Sequence, residues 1–96
     1  QIALDPATGN FVSATDVKLQ TQQVMKNIQA LLTEAGLTFD NVVKTSIFLK
    51  SMNDFPIVNE EYAKSFSSGV YPARETVEVS RLPKDALVEI SVICAK

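Results

Sequence analysis

The 96-residue sequence predicts an α+β domain in which two helices cover one face of a small sheet. Two stretches repeat apolar residues at helical spacing, and three stretches alternate apolar and polar residues as strands do. The predicted order is helix, strand, helix, strand, strand. No linker, repeat or low-complexity segment interrupts this order, so residues 1–96 are expected to form a single domain.

The first helix follows a segment of turn-forming residues, in which positions 5–10 read DPATGN. Ser13 stands three residues before Asp16, a spacing typical of a capping box, and predicts the start of the helix. Gly36 predicts its end. The buried face is predicted to carry the apolar residues Val17, Val24, Ile28, Leu31, Leu32 and Ala35. Polar residues are expected on or near the solvent side, namely Gln20, Gln22, Lys26 and Gln29.

Helical spacing and strand alternation also predict the remaining elements. Residues 42–50 predict a first strand, 74–79 a second and 86–95 a third. One face of the first strand is expected to hold Val43, Thr45, Ile47 and Leu49. A short helix is predicted between the first two strands, with Ser67 to Gly69 as its end. Its apolar stripe is Phe55, Val58, Tyr62 and Phe66, and its glutamates at 60 and 61 are expected to face solvent.

Composition limits the possible functions. The net charge is -2 with a pI of about 5.0, and no basic run is present, so a nucleic-acid partner is not expected. No apolar stretch is long enough for a membrane span. The sequence has no histidine and a single cysteine, Cys94, which excludes an intrachain disulfide and histidine-based triads. A reducing, cytoplasmic location fits this cysteine use. No acidic cluster has metal-ligand spacing, so no metal site is predicted.

Two charged residues are candidates for chemistry. Arg74 follows Pro72 at the start of a strand, and its planar guanidinium can pair both oxygens of a carboxylate. The alternative is an ordinary surface arginine in a salt bridge. Glu89 shares a strand face with Leu87 and Ile93, so partial loss of solvent would suit its carboxylate to proton transfer. The alternative is an edge or interface glutamate paired with a cation.

Other polar or reactive residues have simpler interpretations. Cys94 alternates onto the face of Val88 and Ile90, which predicts a buried small hydrophobe rather than a nucleophile. Asn59 lies beside the apolar stripe of the short helix. It could face solvent or direct its amide into a cleft.

Several stretches together resemble the reactive-intermediate deaminase family, also called Rid or YjgF. Residues 71–79 read YPARETVEV and residues 81–90 read RLPKDALVEI, which is similar to the C-terminal signature of that family. Further similarity lies at 1–9 (QIALDPATG), 43–49 (VKTSIFL) and 52–62 (MNDFPIVNEEY). The similarity runs in order over nearly the whole chain.

The resemblance implies a chorismate-mutase-like fold with a small mixed sheet, and a homotrimer with sites in clefts between subunits. It implies hydrolysis of small 2-imino acids and their enamine tautomers to 2-oxo acids and ammonia, without a cofactor. Arg74 would bind the substrate carboxylate, and Glu89 would position or activate water. Asn59 would line the cleft. Thr76 would occupy a cleft position where some members have cysteine.

The resemblance also implies that family members carry roughly thirty further residues before the point that matches Gln1. That segment would hold the first strands, a cleft tyrosine and a serine-glycine pair, which have no counterparts in this sequence.

Three other functions stay open at the level of sequence. A non-catalytic trimer that binds small carboxylates would keep the role of Arg74 without needing Glu89. A ribonuclease or translation inhibitor, a role attached to some family members, fits poorly with the acidic pI and the lack of histidine. A purely structural trimer would leave the polar cleft residues unexplained.

Overall fold

The computed structural model describes all 96 residues, Gln1 to Lys96, and has the predicted order of elements. These are helix α1 (Val17–Glu34), strand β1 (Val42–Leu49), helix α2 (Phe55–Ala63), strand β2 (Ala73–Glu78) and strand β3 (Val88–Cys94). The strands form one mixed sheet in the order β2-β1-β3, with β1 parallel to β2 and antiparallel to β3. Both helices pack on the same face, so the predicted α+β architecture is confirmed. Neither helix is long and apolar enough to cross a membrane.

Helix α1 has well-defined ends, but the predicted capping box at its start is wrong. The N-cap is Asp16, whose side chain accepts a hydrogen bond from the backbone N–H of Leu19 at 3.1 Å. Ser13 lies outside the helix and accepts from the N–H of Asp16 at 3.1 Å. Gly36 has a φ of +74°, which a residue with a side chain rarely adopts, and it ends the helix as predicted.

The buried face of α1 differs from the predicted one. Val17, Val24, Ile28 and Leu32 are in the core, whereas Leu31 is 55% exposed. Successive residues differ by about 100° around a helix, so Leu31 and Leu32 cannot both face the sheet. Leu31 instead lines a shallow groove together with residues of β3.

Gln20 corrects another prediction, because it is fully buried rather than solvent-facing. Its Nε2 donates to the carbonyl of Ser13 at 2.7 Å, and its Oε1 accepts from the N–H of Leu87 at 2.9 Å. Both ends of the amide are therefore satisfied, which is the condition for burying a polar group. The side chain ties α1 to the loop before it and to the start of β3.

A β-bulge changes the predicted face of β1. The register with β3 shifts between Val42 and Lys44, so Val42 is buried and Val43 is 49% exposed. Beyond the bulge the alternation is as predicted, and Thr45, Ile47 and Leu49 are fully buried. The start of β1 therefore uses Val42, not Val43, to reach the core.

Helix α2 ends at Ala63, before the predicted end at Ser67 to Gly69. Phe66 lies beyond the helix but is still buried, with its ring centroid 4.8 Å from that of Tyr62. Glu61 is also buried, contrary to the prediction that it faces solvent. Its carboxylate accepts hydrogen bonds from Gln22 at 2.9 Å and from Lys64 at 2.8 Å, and so it links α2 to α1.

Glu61 should make the protein more sensitive to acid. The hydrogen bond from Lys64, and then that from Gln22, lowers the pKa of Glu61 below its ordinary value of 4.5. A lowered folded-state pKa gives stability that is present above the unfolded value and is lost as the pH falls through the folded value. We expect Glu61→Gln to lower the urea midpoint at about pH 7, and we expect this difference to shrink as the pH falls below the ordinary value of 4.5 and the Glu61 carboxylate becomes protonated.

The matched control for this prediction is Glu60→Gln, since Glu60 is the adjacent, exposed carboxylate of the same helix. Its urea midpoint should follow that of the unmodified protein at every pH. If Glu61→Gln has the same urea midpoint as the unmodified protein at neutral pH, the buried contact between the helices contributes nothing to the free energy of unfolding.

Candidate functional site

A cleft of about 400 Å³ lies between α2 and the segment that leads into β2. It is lined by Asn59, Tyr62, Ala63, Tyr71, Pro72 and Arg74. The β1-α2-β2 connection produces this cleft, because α2 crosses the sheet between two parallel neighbouring strands. The cleft thus contains two of the predicted site residues, Asn59 and Arg74.

Arg74 is available to bind an anion. It lies in β2 in register with Thr45 of β1, and Pro72 restricts the backbone just before it. Its side chain makes no ion pair, and its Nη1 donates to the Oδ1 of Asn59. The guanidinium carbon lies 5.4 Å from the ring centroid of Phe55 and 5.3 Å from that of Tyr62.

The other arginine shows what an arginine with a structural role looks like in this protein. Arg81 pairs with Asp85 through two hydrogen bonds of 2.6 and 3.2 Å. This pairing raises the pKa of Arg81 and lowers the pKa of Asp85. Of the two arginines, only Arg74 therefore retains an unneutralised charge, and it does so at the edge of a cleft.

Tyr62 forms the inner wall of the cleft. It is 2% exposed, and its hydroxyl donates to the Oγ1 of Thr45 at 3.0 Å. Burial raises the pKa of Tyr62, so the phenol stays protonated and keeps this hydrogen bond across the neutral range. The Tyr62 ring is thus held by its hydrogen bond to Thr45, and its face lies against the guanidinium of Arg74.

Thr76 lies on the same face of β2 as Arg74, two residues further along the strand. Its Oγ1 is buried and has no hydrogen-bond partner, the only side-chain oxygen or nitrogen in this state. An unsatisfied buried hydroxyl is costly, and such groups often have a functional or bound partner. Thr76 does not itself line the cleft, although it was predicted as a cleft residue.

Glu89 lies on the opposite face of the sheet from Arg74. It pairs with Phe48 of β1, whereas Arg74 pairs with Thr45, and these two positions point to opposite sides of the strand. Glu89 is partly buried and shares its face with Ser46 and Ser91. A single chain therefore brings Arg74 together with Asn59 but keeps Glu89 apart from both.

No helix of the chain covers this second face of the sheet. Val77 and Ile93, which lie on it, are 42% and 59% exposed. Ser46 donates to Glu75 at 2.7 Å, and Lys44 lies 3.8 Å from the same carboxylate. The face therefore carries exposed apolar side chains together with a pair of opposite charges.

The sequence interpretation missed part of the cleft. It assigned Tyr62 and Phe55 to the core without predicting their contact with Arg74, and it gave no role to Tyr71 or Ala63. One available signal was Tyr71, which directly precedes Pro72 and Arg74. Another was the spacing of Asn59 and Ala63, which lie one helical turn apart, and the small side chain of Ala63 leaves room for the cleft.

Cys94 is partly buried against the core, whereas full burial was predicted.

Comparison with known proteins gives a consistent result over the whole chain. The family model described as Endoribonuclease L-PSP matches residues 1–96. A RutC family protein of Synechocystis is 52% identical, covering 97% of this chain and 72% of the relative. A 2-iminobutanoate/2-iminopropanoate deaminase of Salmonella typhimurium is 43% identical, covering 100% of this chain and 75% of that relative.

Solved structures agree with this result. A protein of the conserved Rid family from Yersinia pestis superposes with a TM-score of 0.96 at 51% identity, covering 100% of this chain and 75% of that one. Fold and sequence agree over the whole of this chain, and the chain therefore belongs to the Rid/YjgF family, whose model has the description Endoribonuclease L-PSP.

Proposed function

We propose that this protein hydrolyses small 2-imino acids, and their enamine tautomers, to 2-oxo acids and ammonia. The observation that carries the proposal is the unpaired guanidinium of Arg74 at the edge of the cleft. A planar guanidinium with free N–H groups binds a carboxylate through two parallel hydrogen bonds. The deaminase from Salmonella, 43% identical to this chain, supports the choice of substrate.

The chemistry that follows needs one proton-transfer group. Water adds to the carbon of the protonated C=N bond, one water proton passes to a base, and the nitrogen receives the C=N electron pair to give a neutral carbinolamine. The base then returns its proton to that nitrogen, and the C–N bond breaks with its electron pair leaving on ammonia. The hydroxyl oxygen forms the C=O bond, and its proton passes to the ammonia, which leaves as ammonium. Glu89 takes both roles in our proposal, as base in the first step and acid in the second. Arg74 holds the carboxylate next to the reacting carbon and so fixes its orientation.

The opposite orientation of Arg74 and Glu89 leads to a further part of the proposal. A site that uses both residues needs two chains, with Arg74 from one and Glu89 from another. Closed rings form when one surface of a chain packs on a different surface of the next. We propose a homotrimer in which the uncovered sheet face brings Glu89 to the Arg74 cleft of the neighbouring chain.

The direct test is the decay of 2-iminobutanoate and 2-iminopropanoate generated in solution. These imines hydrolyse without an enzyme, so the measurement compares the rate of 2-oxo acid formation with and without the protein. We expect an increase proportional to protein concentration. Decay at the buffer rate, with protein that is folded by circular dichroism, would contradict the proposal.

A ribonuclease activity has less support. The net charge is -2, and the cleft contains one unpaired cation rather than a basic stripe along which a phosphate backbone could lie.

A further inference from the structure

We propose that Phe55, Tyr62 and Thr45 are positioning residues that hold Arg74 ready for a carboxylate without neutralising it. This inference rests on the proposed function, because it assigns these residues a role in substrate binding. Its basis is a set of contacts that connects α2, β1 and β2 around one guanidinium.

The guanidinium carbon of Arg74 lies 5.4 Å from the Phe55 ring centroid and 5.3 Å from the Tyr62 ring centroid. Both distances are within the range of about 6 Å in which a cation is attracted to a ring face. Phe55 begins α2, and Tyr62 follows seven residues later, which places both rings on one side of the helix. The two rings therefore contact the guanidinium from the same element.

The Tyr62 ring is itself fixed from behind. Its hydroxyl donates to Thr45, which is fully buried, and Thr45 is also the β1 partner of Arg74 in the sheet. The backbone of Thr45 thus holds the strand that carries Arg74, and its side chain holds the ring of Tyr62 that Arg74 contacts. This arrangement leaves little freedom for the tyrosine to move away from the arginine.

Holding an arginine with rings differs chemically from holding it with a carboxylate. In the Arg81–Asp85 pair the anion occupies two N–H groups and cancels the charge. Ring faces attract the cation but accept none of its in-plane N–H bonds. The amide of Asn59 takes one N–H and carries no charge. The remaining N–H groups and the full positive charge stay available for a ligand.

The experiment compares Phe55→Leu with Phe39→Leu. Both phenylalanines are partly buried, but Phe39 packs against Phe66 and makes no contact with Arg74. We expect Phe55→Leu to raise KM for 2-iminobutanoate on the order of 10-fold, with a smaller change in kcat. Phe39→Leu should lower the Tm by a similar amount and leave KM unchanged. The conservative variant Phe55→Tyr keeps the ring and should restore KM to near the wild-type value.

Equal KM values for Phe55→Leu and Phe39→Leu would overturn the inference. A Phe55→Tyr variant whose KM stays as high as that of Phe55→Leu would also overturn it. A second measurement separates this outcome from failure of the proposed function. The Kd of the product 2-oxobutanoate, measured by calorimetry, should rise in Phe55→Leu and in Thr45→Val even if the wild-type protein shows no turnover. Unchanged Kd values in both variants would reject the positioning role independently of catalysis.

Discussion

Arg74→Ala is expected to reduce kcat/KM for 2-iminobutanoate by at least about 100-fold, because it removes the only unpaired cation at the cleft. The carboxylate would then have no partner for its two oxygens, and the reacting carbon would lose its fixed orientation. Arg74→Lys keeps the charge but loses the planar fork, so we expect an intermediate loss on the order of 10-fold. The measurement is steady-state hydrolysis of the imine by each variant.

The control is Arg81→Ala. Arg81 is the other arginine of the chain, and it is exposed and bound to Asp85. Its removal should leave kcat/KM unchanged. Arg74 makes no ion pair within the chain, so Arg74→Ala should also keep its fold and oligomeric state. An Arg74→Ala variant that still hydrolyses the imine at the wild-type rate would remove the basis of the proposed function.

Glu89→Gln should separate turnover from binding. Glutamine has nearly the shape of glutamate but cannot take up the proton of the attacking water, and general acid-base catalysis contributes about 10² to 10⁴ in rate. We expect kcat to fall by a factor within that range. The Kd of 2-oxobutanoate should stay close to the wild-type value. Glu34→Gln, at the end of α1, provides a matched change of charge on an element that carries neither Arg74 nor Glu89.

The outcome for Glu89→Gln also decides between an enzyme and a binding protein. Lost turnover with retained binding supports the deaminase. Unchanged turnover would show that Glu89 does not move the proton and would require another base. If the wild-type protein binds 2-oxobutanoate but shows no hydrolysis, the non-catalytic carboxylate-binding trimer becomes the better description.

The sequence was sufficient to predict the order of elements and the positions of most core residues. Periodicity depends on local side-chain direction, which is why α1, β1 and β3 could be located to within a few residues. The errors occurred where contacts distant in sequence decide the outcome. Gln20 is buried because Leu87 and Ser13 satisfy its amide, and Glu61 because Gln22 and Lys64 satisfy its carboxylate. Leu87 lies 67 residues from Gln20 and Gln22 lies 39 residues from Glu61, so these two partners cannot be read from a window around either residue, although Lys64 is only three residues from Glu61.

The candidate site was predictable only in part. Arg74 and Asn59 were expected to line one cleft, and the structure brings them together. The bulge at Val43 and the cation–ring contacts of Arg74 depend on how β1, β2 and α2 are arranged in space. Glu89 lies on the other face because of the register between β3 and β1. Alternation within one strand shows which residues share a face, but it does not show which face of the neighbouring strand they match. Because Arg74 and Glu89 lie on opposite faces of one sheet, a site that uses both residues would have to take them from two chains.

Mixing two inactive variants tests the shared site most directly. Arg74→Ala and Glu89→Gln chains are combined in equal amounts, unfolded and refolded together, and assayed for imine hydrolysis. If each site takes Arg74 from one chain and Glu89 from the next around a closed ring, random assembly makes about one quarter of the sites complete, and about one quarter of wild-type activity should return. If Arg74 and Glu89 act within one chain, or do not act together, the mixture will remain as inactive as its components.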